Sequence, residues 1–251
     1  MQCVIESSGL RLSGFLARPA GPAAASVPGL VLCHGFPAGP GGAATSGQTY
    51  PQLAERLAAE TGWAVLTFNF RGTGASEGNF SLAGWLDDLR AAIDHLLAAD
   101  GISGAWLAGS STGGALALCQ TGEDERVRGV ATLSARADFH EWAAEPERFL
   151  DHARSIGVIR DRDFPPDPEA WGRELREIRP TSLIAKIPPR PILLVHGALD
   201  ETVPLDDARV LTDAAGDAVE LRVLAEAGHR LRHDPRAVAL LMGWMERQAV
   251  H

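Results

Sequence analysis

Lysine is nearly missing from this 251-residue chain: Lys186 stands alone, and arginine carries the rest of the positive charge. Positive charge is outweighed altogether, with 23 Lys and Arg against 32 Asp and Glu and a formal net charge of −9. Such a chain has no general attraction for phosphate backbones or anionic lipid surfaces, which argues against nucleic-acid and membrane-surface partners. Cysteine is scarce: Cys3, Cys33 and Cys119 are odd in number, far apart and outside any C-x-x-C pattern. They read as free thiols of a reducing compartment. No stretch approaches about 18 uninterrupted apolar residues, so no membrane span is expected. The N-terminus has no basic segment followed by an apolar run, so no signal peptide is expected and a cytoplasmic location follows.

What the chain does have is a core-forming composition, 45% hydrophobic and 22% charged, together with 27 glycines and 16 prolines. That excludes a disordered tail, a collagen-like repeat and a small disulfide scaffold. At about 100–200 residues per domain, the length suggests one large domain. Strands are predicted at Val4–Glu6, Leu12–Arg18, Gly29–His34, Ala64–Asn69, Ala105–Ser110, Val127–Ser134, Ile192–Gly197 and Val219–Leu224. The third and seventh do not alternate polar with apolar residues, as expected for parallel strands covered on both faces.

Helical patterns fall between these strands. The clearest runs from Ser81 to Ala99, with Leu82, Trp85, Leu86, Leu89, Ile93, Leu96 and Leu97 on one stripe and Asp87, Asp88, Arg90 and Asp94 facing away. Others are predicted at Tyr50–Thr61, Ser111–Gln120, Asp206–Ala215 and Pro235–Val250, the last with Asp234 as N-cap. This alternation argues for an α/β protein with a doubly wound sheet, its first two strands forming an antiparallel hairpin at one edge. Residues 136–189 break the pattern. They hold Phe139, Trp142, Phe149, Phe164 and Trp171 among many charges, and read as a helical cap inserted in a single domain spanning 1–251. The cap aromatics are read as a small core of their own rather than a pocket lining.

The fifth strand runs into Gly109-Ser110-Ser111-Thr112-Gly113, a G-x-S-x-G pattern with a strand before it and a helix after. A serine on so tight a turn needs neighbours two positions away with almost no side chain, and the helix N-terminus presents positive charge to a developing oxyanion. Ser111 is the predicted nucleophile. Ser110 is the rival and is disfavoured because glycines flank Ser111 instead.

With these residues in place the chain resembles the α/β-hydrolase superfamily over nearly its whole length, in particular serine esterases and serine-aminopeptidase-like members with a small cap. The resemblance implies a mostly parallel eight-stranded sheet flanked by helices, an acid after strand seven and a histidine after strand eight. Asp200 and His229 stand there, in the order Ser111, Asp200, His229. In that reading His229 takes the serine proton and returns it to the leaving group, while Asp200 fixes the imidazole's tautomer. Glu201 and Asp138 are the rival acids. His233, four residues beyond His229, lacks the glutamate of H-E-x-x-H and reads as a surface residue.

His34-Gly35-Phe36 after strand three resembles the family's oxyanion loop, which assigns the backbone N–H groups of Phe36 and Thr112 to the oxyanion, with His34 bracing the loop. Arg71-Gly72-Thr73-Gly74-Ala75-Ser76-Glu77-Gly78 resembles the family's loop after strand four. It is not a dinucleotide fingerprint, because Glu77 occupies the third glycine's place. Its glycines are read as structural, with Arg71 and Glu77 in ion pairs.

The expected activity is hydrolysis of a small-molecule carboxylic ester through a covalent acyl-enzyme, with no metal or organic cofactor, by a monomer or homodimer. Serine peptidase, aminopeptidase or thioesterase chemistry on the same three residues is the alternative. Acyltransferase or perhydrolase activity and a non-catalytic binding role rank below it.

Overall fold

The computed structural model describes residues 1–20 and 26–249. These form, in chain order, β1 (Gln2–Ser7), β2 (Leu10–Ala17), β3 (Val27–Cys33), α1 (Gly42–Thr45), α2 (Tyr50–Thr61), β4 (Ala64–Phe68), α3 (Leu82–Leu97), β5 (Ile102–Ser110) and α4 (Thr112–Glu123). There follow β6 (Val127–Leu133), α5 (His140–Ala144), α6 (Pro146–Ser155), α7 (Pro168–Glu177), α8 (Pro180–Ile184), β7 (Ile192–Gly197), α9 (Leu205–Ala215), β8 (Val219–Leu224) and α10 (Pro235–Gln248). The strands lie in the order β1-β2-β4-β3-β5-β6-β7-β8 in one sheet. β1–β2 and β2–β4 are antiparallel and every later pair is parallel, so the predicted edge hairpin is present and β2 alone runs against the rest.

Successive residues of the central strands feed opposite faces. In β3, Val31 and Cys33 join a core with α3 and α4, whereas Leu30 and Leu32 join a core with α2 and α10. Both faces being dry explains why the strand is apolar throughout. Ser81 caps α3 by accepting the Gly84 N–H at 3.0 Å, and Asp234 caps α10 by accepting the Arg236 N–H at 2.9 Å. The predicted end of the last helix at Val250 lies outside the described residues. Among the described residues, the connection from β6 to β7 carries helices α5–α8 and no strand.

One side chain of α3 departs from the sequence reading. Asp88 points inward, and its carboxyl group is fully buried. It accepts from Arg71 Nη2 at 2.7 Å, Arg71 Nε at 3.0 Å, the Arg71 backbone N–H at 2.8 Å and Ser7 Oγ at 2.7 Å. Helical periodicity places Asp88 beside Leu89 and Trp85, and the buried guanidinium from the loop after β4 makes that inward position tolerable. Glu77 of the same loop is in no ion pair among the described residues: it accepts the Arg11 backbone N–H at 2.7 Å.

Because Asp88 joins β1, α3 and the loop after β4, removing it leaves the Arg71 charge buried and unpaired. Asp88→Ala is expected to cost about 3 kcal/mol of folding stability, measured as a shift in the urea midpoint with an unchanged slope.

Candidate active site

Ser111 sits between the end of β5 and the start of α4 with φ 50° and ψ −122°, a left-handed backbone that a side chain resists. Its N–H donates to Leu133 O on β6 at 2.9 Å and its carbonyl accepts from Ala115 at 2.9 Å. The turn closes only because its flanks are bare. A Cβ on Gly109 would lie 2.5 Å from the Gly113 carbonyl, and one on Gly113 would run into the His34 carbonyl oxygen. The serine is thus pushed into a cleft of about 320 Å³, whose walls include Gly35, Phe36, Tyr50, Ser110 and His229.

Asp200 and His229 come from the turns after β7 and β8, which are stitched together by Ala198 N–H to Leu224 O and Leu199 N–H to Ala227 O, both 2.9 Å. Asp200 Oδ1 accepts the Thr202 and Val203 N–H groups at 2.9 and 2.8 Å, which leaves Oδ2 to face His229 Nδ1 at 2.9 Å. Burial pushes the Asp200 carboxyl up. The hydrogen bonds from His229 and the Val203 N–H more than offset this and hold it at about 2. An ionised carboxylate only accepts, so His229 Nδ1 carries a hydrogen and the lone pair of the neutral ring lies on Nε2. No hydrogen bond joins His229 to Ser111 among the described residues, although both line the cleft.

The rival residues are placed otherwise. Glu201 is exposed, and Asp138 is exposed and accepts the His140 N–H at 2.8 Å. His233 is exposed beyond the cleft turn. Ser110 borders the cleft but stays in the strand.

The loop after β3 is organised by His34. Its Nε2 accepts from the Phe70 N–H at 3.2 Å, so Nδ1 carries the hydrogen and donates to Gly35 O at 2.8 Å. Burial lowers its pKa to about 4, so the ring is a neutral brace at ordinary pH. Among the described residues, neither the Phe36 nor the Thr112 N–H donates to a protein acceptor. The Phe36 ring packs on Phe80 at 4.9 Å and on Trp142 at 5.0 Å, and Trp142 stacks on Phe149 at 4.1 Å. Phe139, Phe149 and Trp171 are buried, and none of the helical-connection aromatics lines the cleft beside Ser111.

Three features escaped the sequence reading. His196 on β7 donates to Val203 O at 2.9 Å and steadies the Asp200 turn. Tyr50 is a cleft residue as well as the start of α2, and Arg230 and Arg232 line the cleft next to His229. The doubled arginine just after the histidine was the visible signal.

Residues 28–156, just over half of the chain, match the alpha/beta hydrolase fold family, and the chain belongs to that family. It is similar to the uncharacterized protein YfhR of Escherichia coli strain K12, 26% identical over 224 residues, which covers 88% of this chain and 70% of that one. Among solved structures, Est1E from Butyrivibrio proteoclasticus superposes with a TM-score of 0.72 at 20% identity, covering 99% of this chain and 97% of that one. Est1E has also been solved with ferulic acid bound. The esterase domain of a Rhodothermus marinus protein superposes with a TM-score of 0.70 at 24% identity, covering 99% and 97%.

The low pKa of Asp200 fixes a sign. A carboxyl held below its ordinary 3.8 stabilises the fold above that pH and loses its contribution as pH falls towards about 2. The stability difference between the wild type and Asp200→Asn is therefore expected to shrink between pH 4 and 2, followed by urea denaturation across that range.

Proposed function

We propose that this protein is a serine hydrolase of carboxylic esters working through an acyl-enzyme. The observation that carries the reading is the 2.9 Å Asp200–His229 pair facing the same cleft as a serine on a strained strand-to-helix turn. Ser111 Oγ attacks the ester carbonyl carbon as its proton passes to His229 Nε2. The electron pair of the C=O bond moves onto oxygen, where the Phe36 and Thr112 N–H groups receive it, each donor contributing about 3 kcal/mol to the transition state. The C–O bond to the alcohol then breaks, and His229 gives its proton to the departing oxygen. Water, deprotonated by His229, attacks the acyl carbon; the bond from that carbon to Ser111 Oγ then breaks, the carboxylic acid leaves, and His229 returns the proton to Ser111. Asp200 holds the ring in the tautomer that both halves need and stabilises the imidazolium between them.

In this proposal helices α5–α8 cap the site within a single domain. Two structural neighbours support ester chemistry: the Rhodothermus marinus esterase domain, and Est1E, which has been solved with ferulic acid bound. Among the described residues no helix is long and apolar enough to cross a membrane. The three free thiols agree with a reducing, cytoplasmic compartment.

A fluorophosphonate probe is expected to label the wild type and leave Ser111→Ala unlabelled, with 4-nitrophenyl ester turnover falling by about 10⁴-fold or more. Equal labelling of the two proteins would remove Ser111 from its role. Turnover confined to aminoacyl anilides would replace the ester reading by a peptidase one.

A further inference from the structure

The chain is acidic, but the wall of its cleft is not. Among the described residues no aspartate or glutamate lines the cleft beside Ser111, whereas Arg230 and Arg232 both do. Many of the chain's arginines are committed to carboxylates, Arg71, Arg126, Arg209 and Arg236 among them. Among the described residues Arg230 and Arg232 are in no ion pair.

Arg232 is also held in place. Its guanidinium lies 5.0 Å from the Tyr50 ring centroid, and Nη1 donates to Thr49 Oγ1. A stacked and tethered guanidinium has little rotamer entropy left to lose when it meets an anion. Its charge reaches the cleft residues: it adds slightly to the fall that burial causes in His34 and partly opposes the rise that burial causes in Tyr50. Neither of these adds charge at neutral pH: burial keeps His34 deprotonated and pushes the Tyr50 phenol up, so that it stays protonated. Two carboxylates lie beside this turn and both are spoken for: Asp200 is engaged with His229, and Asp234 is paired with Arg236.

Position says which half of the substrate meets the arginines. On the hydrolase reading above, His229 must reach the departing oxygen, so the alcohol half lies against the turn that carries His229. Arg230 and Arg232 continue that same turn.

We infer that the cleft selects esters whose alcohol half bears an anionic group, a carboxylate or a phosphate, received by Arg230 and Arg232.

The test compares 4-acetoxybenzoate with its neutral methyl ester, methyl 4-acetoxybenzoate, as substrates of the wild type, Arg230→Gln, Arg232→Gln, Arg232→Lys and the double glutamine variant. Using the ratio of kcat/KM for the two substrates within each protein cancels their different intrinsic reactivity when variants are compared. The ratio is expected to fall about tenfold per glutamine substitution, as for loss of one charge-assisted hydrogen bond. The change should appear in KM, with Arg232→Lys keeping part of the preference. The wild-type ratio should decline as salt rises. The Arg230 side chain makes no hydrogen bond with the described residues and is not the one stacked on Tyr50, so Arg230→Gln tests the idea free of any disturbance to Tyr50. An unchanged ratio in the double variant overturns the inference. So does a charge preference seen only between mono-4-nitrophenyl succinate and 4-nitrophenyl butyrate, where the anion sits on the acyl half. Undiminished hydrolysis of both acetoxybenzoates by Ser111→Ala would instead strike the serine reading itself.

Discussion

A serine at φ 50° and ψ −122° is held against its own preference, at a cost of roughly 1–3 kcal/mol, and much of the structure follows from what holds it there. The turn needs β5 beside β6, whose Leu133 carbonyl takes the serine N–H, and beside β3, whose following residue His34 presses its carbonyl against Gly113. Those neighbours can be adjacent only in a parallel sheet with crossover helices, because each strand must deliver its C-terminal end to the same edge. The sheet order, the dry strands and the glycines at the turn are therefore parts of one requirement.

Three buried polar groups, Asp88, Asp200 and His34, share a pattern of redundancy. Asp88 has several donors from two segments, Asp200 takes two backbone N–H groups besides His229, and His34 spends both ring nitrogens on loop backbone. Each thereby fixes loops that have no regular ladder of their own. An isolated buried charge or imidazole would be a liability, but a fully satisfied one defines a unique arrangement. At the rim of the cleft, by contrast, Arg230 is exposed and in no ion pair among the described residues.

Much of this was legible in the chain. Strand positions, the edge hairpin, the cap at Asp234 and the approach of Asp200 to His229 followed from periodicity, from capping chemistry and from the family resemblance. What stayed hidden was side-chain partnership across long separations. Asp88 sits within a polar run on α3, and nothing local reveals that Arg71 waits on the core side. Glu77 looked like half of an ion pair, yet its partner is a backbone amide on β2. His196 and Tyr50 lie in an apolar strand and at a helix start, where burial and cleft lining leave no local signature.

The contact between Phe36 and Trp142 has one more consequence. The ring of Phe36 leans on side chains from the β6–β7 connection, while its backbone borders the cleft next to Gly35. Residues 142 and 149 therefore help to set where that backbone lies without touching whatever the cleft holds. Drift in the aromatic content of the connection would be transmitted to the cleft as a shift of main chain. The history of one segment is thus bound to that of the other, and a graft of a foreign connection onto this sheet would have to bring its own residue 36.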